Sequence, residues 1–269
     1  MTLSMAIDPF ANKNKGNNAQ NVEKIEVNND LVHKAIELYG KFLYTKPDQT
    51  FWPNEPFISE KYVQLPLLKP AEIDLTHSVP AQDPFKLKER NAYLLASYTS
   101  RLIMFSYISG TNEFFLTIRN PDTERLGGFL TADKDRRLQL TIYGDVGKYT
   151  GLGSSYLDLY VQGSSELGTG NKIMNSSVRQ RAYAGDDFGS YSKNSVFYAH
   201  AGVGNSYATE ANGSQFHFNE KVGNLTDMRD ALPKNCSFIV YNEDTMKQIK
   251  KDLGFKGSWI KWNAVRVEK

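Results

Sequence analysis

The carboxylates of this chain crowd together in two short turns. Asp186 and Asp187 are adjacent in "YAGDDFGS", and Asp133 lies two residues before Asp135 in "LTADKDRR". Neighbouring carboxylates can share acid–base work, or can hold a hard cation together with backbone oxygens. Aspartate also favours turns for its local hydrogen bonding. Neither stretch follows the calcium-loop pattern of a helix–loop–helix hand. A calcium ion at Asp186 and Asp187, with Asp133 and Asp135 as the second choice, is the metal site that these residues offer. Other chemistry finds less. The four histidines, His33, His77, His200 and His217, are scattered, and none stands at ligand spacing from another histidine or from the one cysteine. Cys236, in "CSFIVY", reads as a small buried residue. Ser206 in "GNSYA" misses the G-x-S-x-G elbow by one residue, and turn-then-strand residues follow it where a helix is needed. The reading assigns no catalytic and no cofactor-binding residue, so the chain is expected not to be an enzyme.

The glycine-rich stretch "RRLQLTIYGDVGKYTGLGSSYLDLYVQG" could suggest a phosphate cradle. Gly147-Lys148 is followed by Tyr149, and Ile142 stands where the first glycine of a P-loop belongs. The dinucleotide form fails at Tyr156. The flanks decide: Leu138, Leu140 and Ile142 alternate with polar residues, as do Leu157, Leu159 and Val161. Period two on both sides predicts two half-buried strands joined by the glycines.

Basic and aromatic side chains alternate in two places. Arg179, Arg181 and Tyr183 share one strand face, as do Trp259, Lys261 and Asn263, with Ile260 and Trp262 on the opposite face. Such pairing suits a platform for single-stranded nucleic acid, or a strand at a polar interface. A formal net charge of +2 favours the interface.

The elements that must position these residues are mostly strands. "EFFLTIRN" reads as a strand, and from residue 136 onward "RLQLTIYG", "SYLDLYVQG", "VRQRAYAG", "SVFYAHAG", "SQFHFNEKV", "CSFIVYNE" and "SWIKWNAVRV" carry turn signals at about ten-residue spacing, the pattern of a sandwich or barrel. "AYLLASYTSRLIMFSYISG" also reads as a strand, with a helix as the alternative. "DLVHKAIELYGKFLY" reads as an amphipathic helix with Asp30 as its N-cap, and "EDTMKQIKKDLG" as a helix closed by Gly254. A short helix is expected around "LTDMRDAL". Seven of the ten prolines fall between Pro47 and Pro84, which predicts loops and edge strands such as "KYVQLPLL" and "AEIDLTHS". No residue-level internal repeat is read, so the doubling into two halves rests on pattern alone.

With 269 residues, 40% of them hydrophobic, the chain can fill one large or two modest cores. No apolar run approaches the roughly 18–20 residues of a membrane span, and the N-terminus lacks signal-peptide order. The expected organisation is a polar, asparagine-rich arm over 1–29, a first β unit over 30–135 and a second over 136–269.

The total length, the arm in "MAIDPFANKNKGNNAQ", two consecutive β-rich halves, the single cysteine and the closing "GSWIKWNAVRVEK" resemble the major capsid protein of a corticovirus. That resemblance implies an all-β fold with a few short helices, built as two side-by-side eight-stranded jelly-roll sandwiches. It implies a homotrimer of pseudo-hexagonal outline, set among neighbouring trimers and minor virion proteins over an internal viral membrane. It also implies calcium as a stabilising ion. The expected location is the virion shell after synthesis in the host cytoplasm, with no direct nucleic-acid partner. The alternative reading is a single-stranded nucleic-acid-binding β-barrel using Arg179, Arg181, Tyr183, Trp259 and Lys261.

Overall fold

The computed structural model describes residues 26–44, 65–81, 89–225, 231–254 and 264–267. Among them the chain is mostly β, with a few short helices. The alternation read in the sequence does place one strand face inward. In β2 (Leu138–Tyr143), Leu138, Leu140 and Ile142 are buried, and in β3 (Leu157–Val161), Leu157, Leu159 and Val161 are buried. The strands β1 (Glu113–Thr117), β2, β3, β4 (Ser177–Gln180), β5 (Val196–Ala199), β6 (Gln215–Phe218), β7 (Ser237–Val240) and β8 (Ala264–Val267) form one sheet in sequence order.

Every pairing in that sheet is parallel. This corrects the jelly-roll expectation, because a jelly roll pairs its strands antiparallel in two sheets. Alternation and turn residues look the same in both kinds of sheet. Connection length tells them apart: parallel neighbours need a crossover of about a dozen residues or more, and 144–156 between β2 and β3 is such a crossover. The chain therefore winds as a parallel β-solenoid, and β1 pairs with β2 across the expected boundary at 135/136.

The register reveals a repeat. Leu140, Leu159, Val178, Phe197, Phe216 and Phe238 stand beside one another in successive coils, in steps of 19 residues four times and then 22. The repeat fixes backbone more than side chains. Tyr149, Gly168, Asp187 and Ser206 occupy one point of successive coils, all with φ between +57° and +76°. The glycines two residues further on also make room: a Cβ at Gly170 would stand 2.7 Å from the Phe197 ring, and one at Gly189 2.7 Å from Phe216. The rings thus fill the lumen. Phe197, Phe216 and Phe238 stack with centroids 4.8 and 5.4 Å apart.

A serine ladder lines the corner before each strand. Ser176, Ser195 and Ser214 are buried and accept N–H bonds from Leu157, Ser176 and Ser195 at 3.0, 3.2 and 3.3 Å. Cys236 takes the next place, buried and outside any disulfide, with its Sγ–H donating to the Lys234 carbonyl as Ser195 donates to Lys193. Burial pushes its thiol up to about 11, which suits a packing role.

Helices stand at both ends. α1 (Asn29–Tyr44), α2 (Pro70–Ala81) and α3 (Glu89–Ile108) pack together, with α2 against β1. The helix expected at "DLVHKAIELYGKFLY" is present, although Asn28, rather than Asp30, accepts the N–H groups of its first turn. α3 replaces the strand expected there: Leu95, Tyr98, Leu102 and Ser106 are buried at a spacing that only a helix places on one face. α2 replaces the edge strand "AEIDLTHS", with Pro70 at its start, where the missing N–H is harmless. At the far end, α4 (Glu243–Asp252) is capped by the Asn242 side chain, packs on β7 and β8, and is followed by Gly254 at φ +62°, as the sequence predicts. Residues 226–230 of the helix expected around "LTDMRDAL" and 61–64 of "KYVQLPLL" lie outside the described residues, and 65–68 form no strand.

Candidate ligand interface on the outer sheet face

Because one side of each strand points into the solenoid, the other forms a continuous outer face. The parallel register lines up equivalent side chains at the strand spacing of about 4.8 Å. Around β4 two rows run across the strands. The first joins Tyr160, Arg179 and Tyr198 within the strands. The second follows just past the strand ends, where Gln162, Arg181 and His200 keep the 19-residue step and the Arg181 and His200 N–H groups donate to the Val161 and Gln180 carbonyls. Arg179 pairs with Tyr160 on one side and Tyr198 on the other. Arg179, Arg181 and His200 are exposed, while Tyr160, Gln162 and Tyr198 are half-buried. Tyr183, two residues beyond Arg181, is 49% exposed.

The rings of the first row are engaged with one another. The Arg179 guanidinium lies 5.3 Å from the Tyr198 centroid, and Tyr198 stacks on His217 at 4.4 Å.

The charge of the face is uneven. Asp158 is already held by Arg137 through two bonds of 2.9 and 2.7 Å. Among the described residues, Arg179 and Arg181 have no carboxylate within ion-pair distance. The patch is therefore a basic centre surrounded by planar hydrogen-bonding side chains. It can attract an anion, and Arg can grip it with two parallel N–H donors.

No family model, curated protein or solved structure matches this chain.

The residues singled out in the sequence fall in different places. Asp186 is exposed, and its Oδ1 accepts the Asn205 N–H at 2.6 Å, closing one coil onto the next. Asp187 sits at φ +58°, and partial burial beside the Asp186 charge raises its carboxyl above the ordinary range. Asp133 and Asp135 are exposed, with Asp133 tied to the Tyr107 hydroxyl. The two pairs lie on different corners: Asp186 just beyond the Ala184–Val203 bridge, and Asp133 just beyond the Thr131–Ser155 bridge. Among the described residues, no three His, Cys, Asp or Glu side chains gather into a possible metal site. Ser206 falls on a turn at φ +57°, in the same column as Asp187. His33 is exposed, His77 is buried in α2, and His217 is half-buried under the Tyr198 ring. Trp259, Lys261 and Asn263, with Ile260 and Trp262, lie outside the described residues.

Arg179, Arg181 and Tyr183 are all exposed, as alternation predicts, but only Arg179 lies on a strand, since β4 ends at Gln180 and the chain bends at Arg181 and Ala182. Sequence reading missed Tyr160, Gln162, Tyr198 and His200. The signal was there: each stands 19 residues from an arginine of the patch.

Proposed function

We propose that this protein works as an interaction module, a solenoid closed at its ends that meets its partner sideways through the outer face around β4. The observation that carries this reading is the pair Arg179 and Arg181, exposed on a rigid ladder without a neutralising carboxylate among the described residues. The ends support it. An open parallel edge invites endless strand addition, and helices commonly block it. Here α2 lies on β1, where Asp74 accepts the Thr117 N–H at 2.5 Å and the Ser78 hydroxyl donates to the Thr117 carbonyl.

A subunit of a viral shell is one form such a module can take, and it is the form the corticovirus resemblance favours. The resemblance also implies jelly rolls, which a parallel sheet does not supply, so the shell role rests on the sequence resemblance alone. In that form the partner would be a second copy, and three copies would associate.

Light scattering across a wide concentration range tests the reading, with Arg179→Glu/Arg181→Glu beside the wild type. If the face joins copies, the wild type forms a trimer and the variant is a monomer with an unchanged melting temperature. A wild type that stays monomeric assigns the face to a different partner. A trimer that survives the charge reversal places association on another surface and removes this role from the face.

A further inference from the structure

We infer that the patch on the outer face binds a linear acidic polysaccharide, a chain of sugars carrying carboxylates, lying across the strands along the solenoid. The inference rests on the interaction reading above and names the partner's chemistry.

Three observations lead to it. The first is charge. Arg179 and Arg181 are exposed, and the neighbouring Asp158 is already taken by Arg137 at 2.7 Å. An anionic ligand meets two available guanidinium groups and no repelling neighbour at the centre of the patch.

The second is the orientation of the rings. A single-strand nucleic-acid platform needs open aromatic faces for bases to stack on. Here the Tyr198 ring has Arg179 on one side, 5.3 Å away, and His217 on the other, 4.4 Å away. Its hydroxyl edge is left for hydrogen bonding, which suits a hydroxyl-rich chain better than a base.

The third is repetition. Tyr160, Arg179 and Tyr198 stand in register on consecutive strands. Just past the strand ends Gln162, Arg181 and His200 keep the same step, with the Arg181 N–H donating to the Val161 carbonyl and the His200 N–H to the Gln180 carbonyl, both at 2.9 Å. Each coil therefore offers one planar hydrogen-bonding group beside an aromatic or guanidinium group, repeating at about 4.8 Å. An extended polymer can meet that row again at each coil. Planar polar side chains can also make paired hydrogen bonds to sugar hydroxyls and carboxylates.

The experiment measures binding of the full chain to polygalacturonate, neutral dextran, poly-dT and polyglutamate, at low and physiological ionic strength. The variants are Arg179→Gln/Arg181→Gln and, as a control removing the same charge elsewhere, Lys247→Gln/Lys251→Gln on α4. The expected result is salt-sensitive binding of polygalacturonate, none of dextran, and weaker binding of the other two polyanions. The arginine variant should lose about tenfold or more, since hydrogen bonds to charged groups are being removed, and the lysine control should match the wild type. Equal or tighter binding of poly-dT or polyglutamate overturns the inference in favour of that class. Equal loss in both variants, or no binding at all, also overturns it. If polygalacturonate fails while Arg179→Glu/Arg181→Glu still dissolves an oligomer, the polysaccharide is wrong and the interaction reading stands. If neither experiment responds, both are wrong.

Discussion

The corner serines show how single residues hold the coils together. Ser176 and Ser195 each donate within their own coil and accept a backbone N–H from the coil before, while the Ser214 hydroxyl pairs with that of Ser192 in the preceding coil. Ser195 donates to the Lys193 carbonyl at 2.8 Å and accepts the Ser176 N–H at 3.2 Å. Ser195→Ala leaves that buried N–H without its acceptor, a loss of about 1–3 kcal/mol. Chemical denaturation should show the lower midpoint with an unchanged slope. Cys236→Ser, at the equivalent place in a later coil, should stay within about 0.5 kcal/mol of the wild type. Equal losses in the two variants would mean that the ladder positions are not equivalent. The carboxylate pair belongs to the same scale. Asp186 spends an oxygen on Asn205, so adjacency in sequence reflects the closing of a turn as well as any attraction for a cation.

At the scale of elements, the N-terminal cap carries two buried ionisable groups with opposite pH effects. Burial pushes Asp74 up to about 6, against the bonds from Thr117 and the charge of Arg119. Burial pulls His77 down to about 4, with its Nδ1 3.0 Å from the Thr99 hydroxyl. A raised carboxylate pKa means that the folded state holds its proton longer than the unfolded chain. Its contribution to stability therefore falls as pH rises from 3.8 towards about 6. A lowered histidine pKa works the other way, and its contribution rises as pH goes from about 4 to 6.5. Each is on the order of 2–3 kcal/mol, so in the wild type they largely cancel. Asp74→Asn, which keeps an acceptor for Thr117, should become steadily more stable between pH 4.5 and 7. His77→Gln should become less stable over the same range. Melting temperatures at both ends of the range check this, and the same sign in both variants would contradict it.

Legibility in the sequence also divides at this scale. The inward faces of the strands were readable because period two depends only on which residues are apolar. The sense of pairing was not, since parallel and antiparallel strands share that period. The repeat was obscured because its fixed features are backbone ones: Tyr149, Gly168, Asp187 and Ser206 adopt one conformation with four different side chains. α2 was misread as an edge strand because its prolines suggest extended chain, whereas Pro70 opens the helix, Pro80 lies one residue from its end, and Glu72, Asp74, Thr76 and His77 are buried. Glu72 earns its place by accepting the N–H groups of Asn28 and Lys69, both at 2.8 Å. At the interface, the two arginines were legible within their own coil. Their neighbours were not, because each comes from another coil and becomes a neighbour only once the register is known.

The whole molecule is a stack whose coils contact chiefly their immediate neighbours, so length is an adjustable property. One coil, residues 176–194, carries both arginines of the patch. Inserting a second copy of those 19 residues after Asn194 matches the observed step between coils and lengthens the outer face by one basic row. The central claim is that this lateral face is the working surface, and the duplication tests it most directly. Circular dichroism first establishes folding, and polygalacturonate affinity is then measured against salt concentration. The account predicts a folded protein, melting within a few degrees of the wild type, with tighter binding and a steeper dependence on salt because two more cations engage the polymer. A folded duplicate with unchanged affinity and salt slope would contradict the claim, and a duplicate that fails to fold would contradict the register on which it stands.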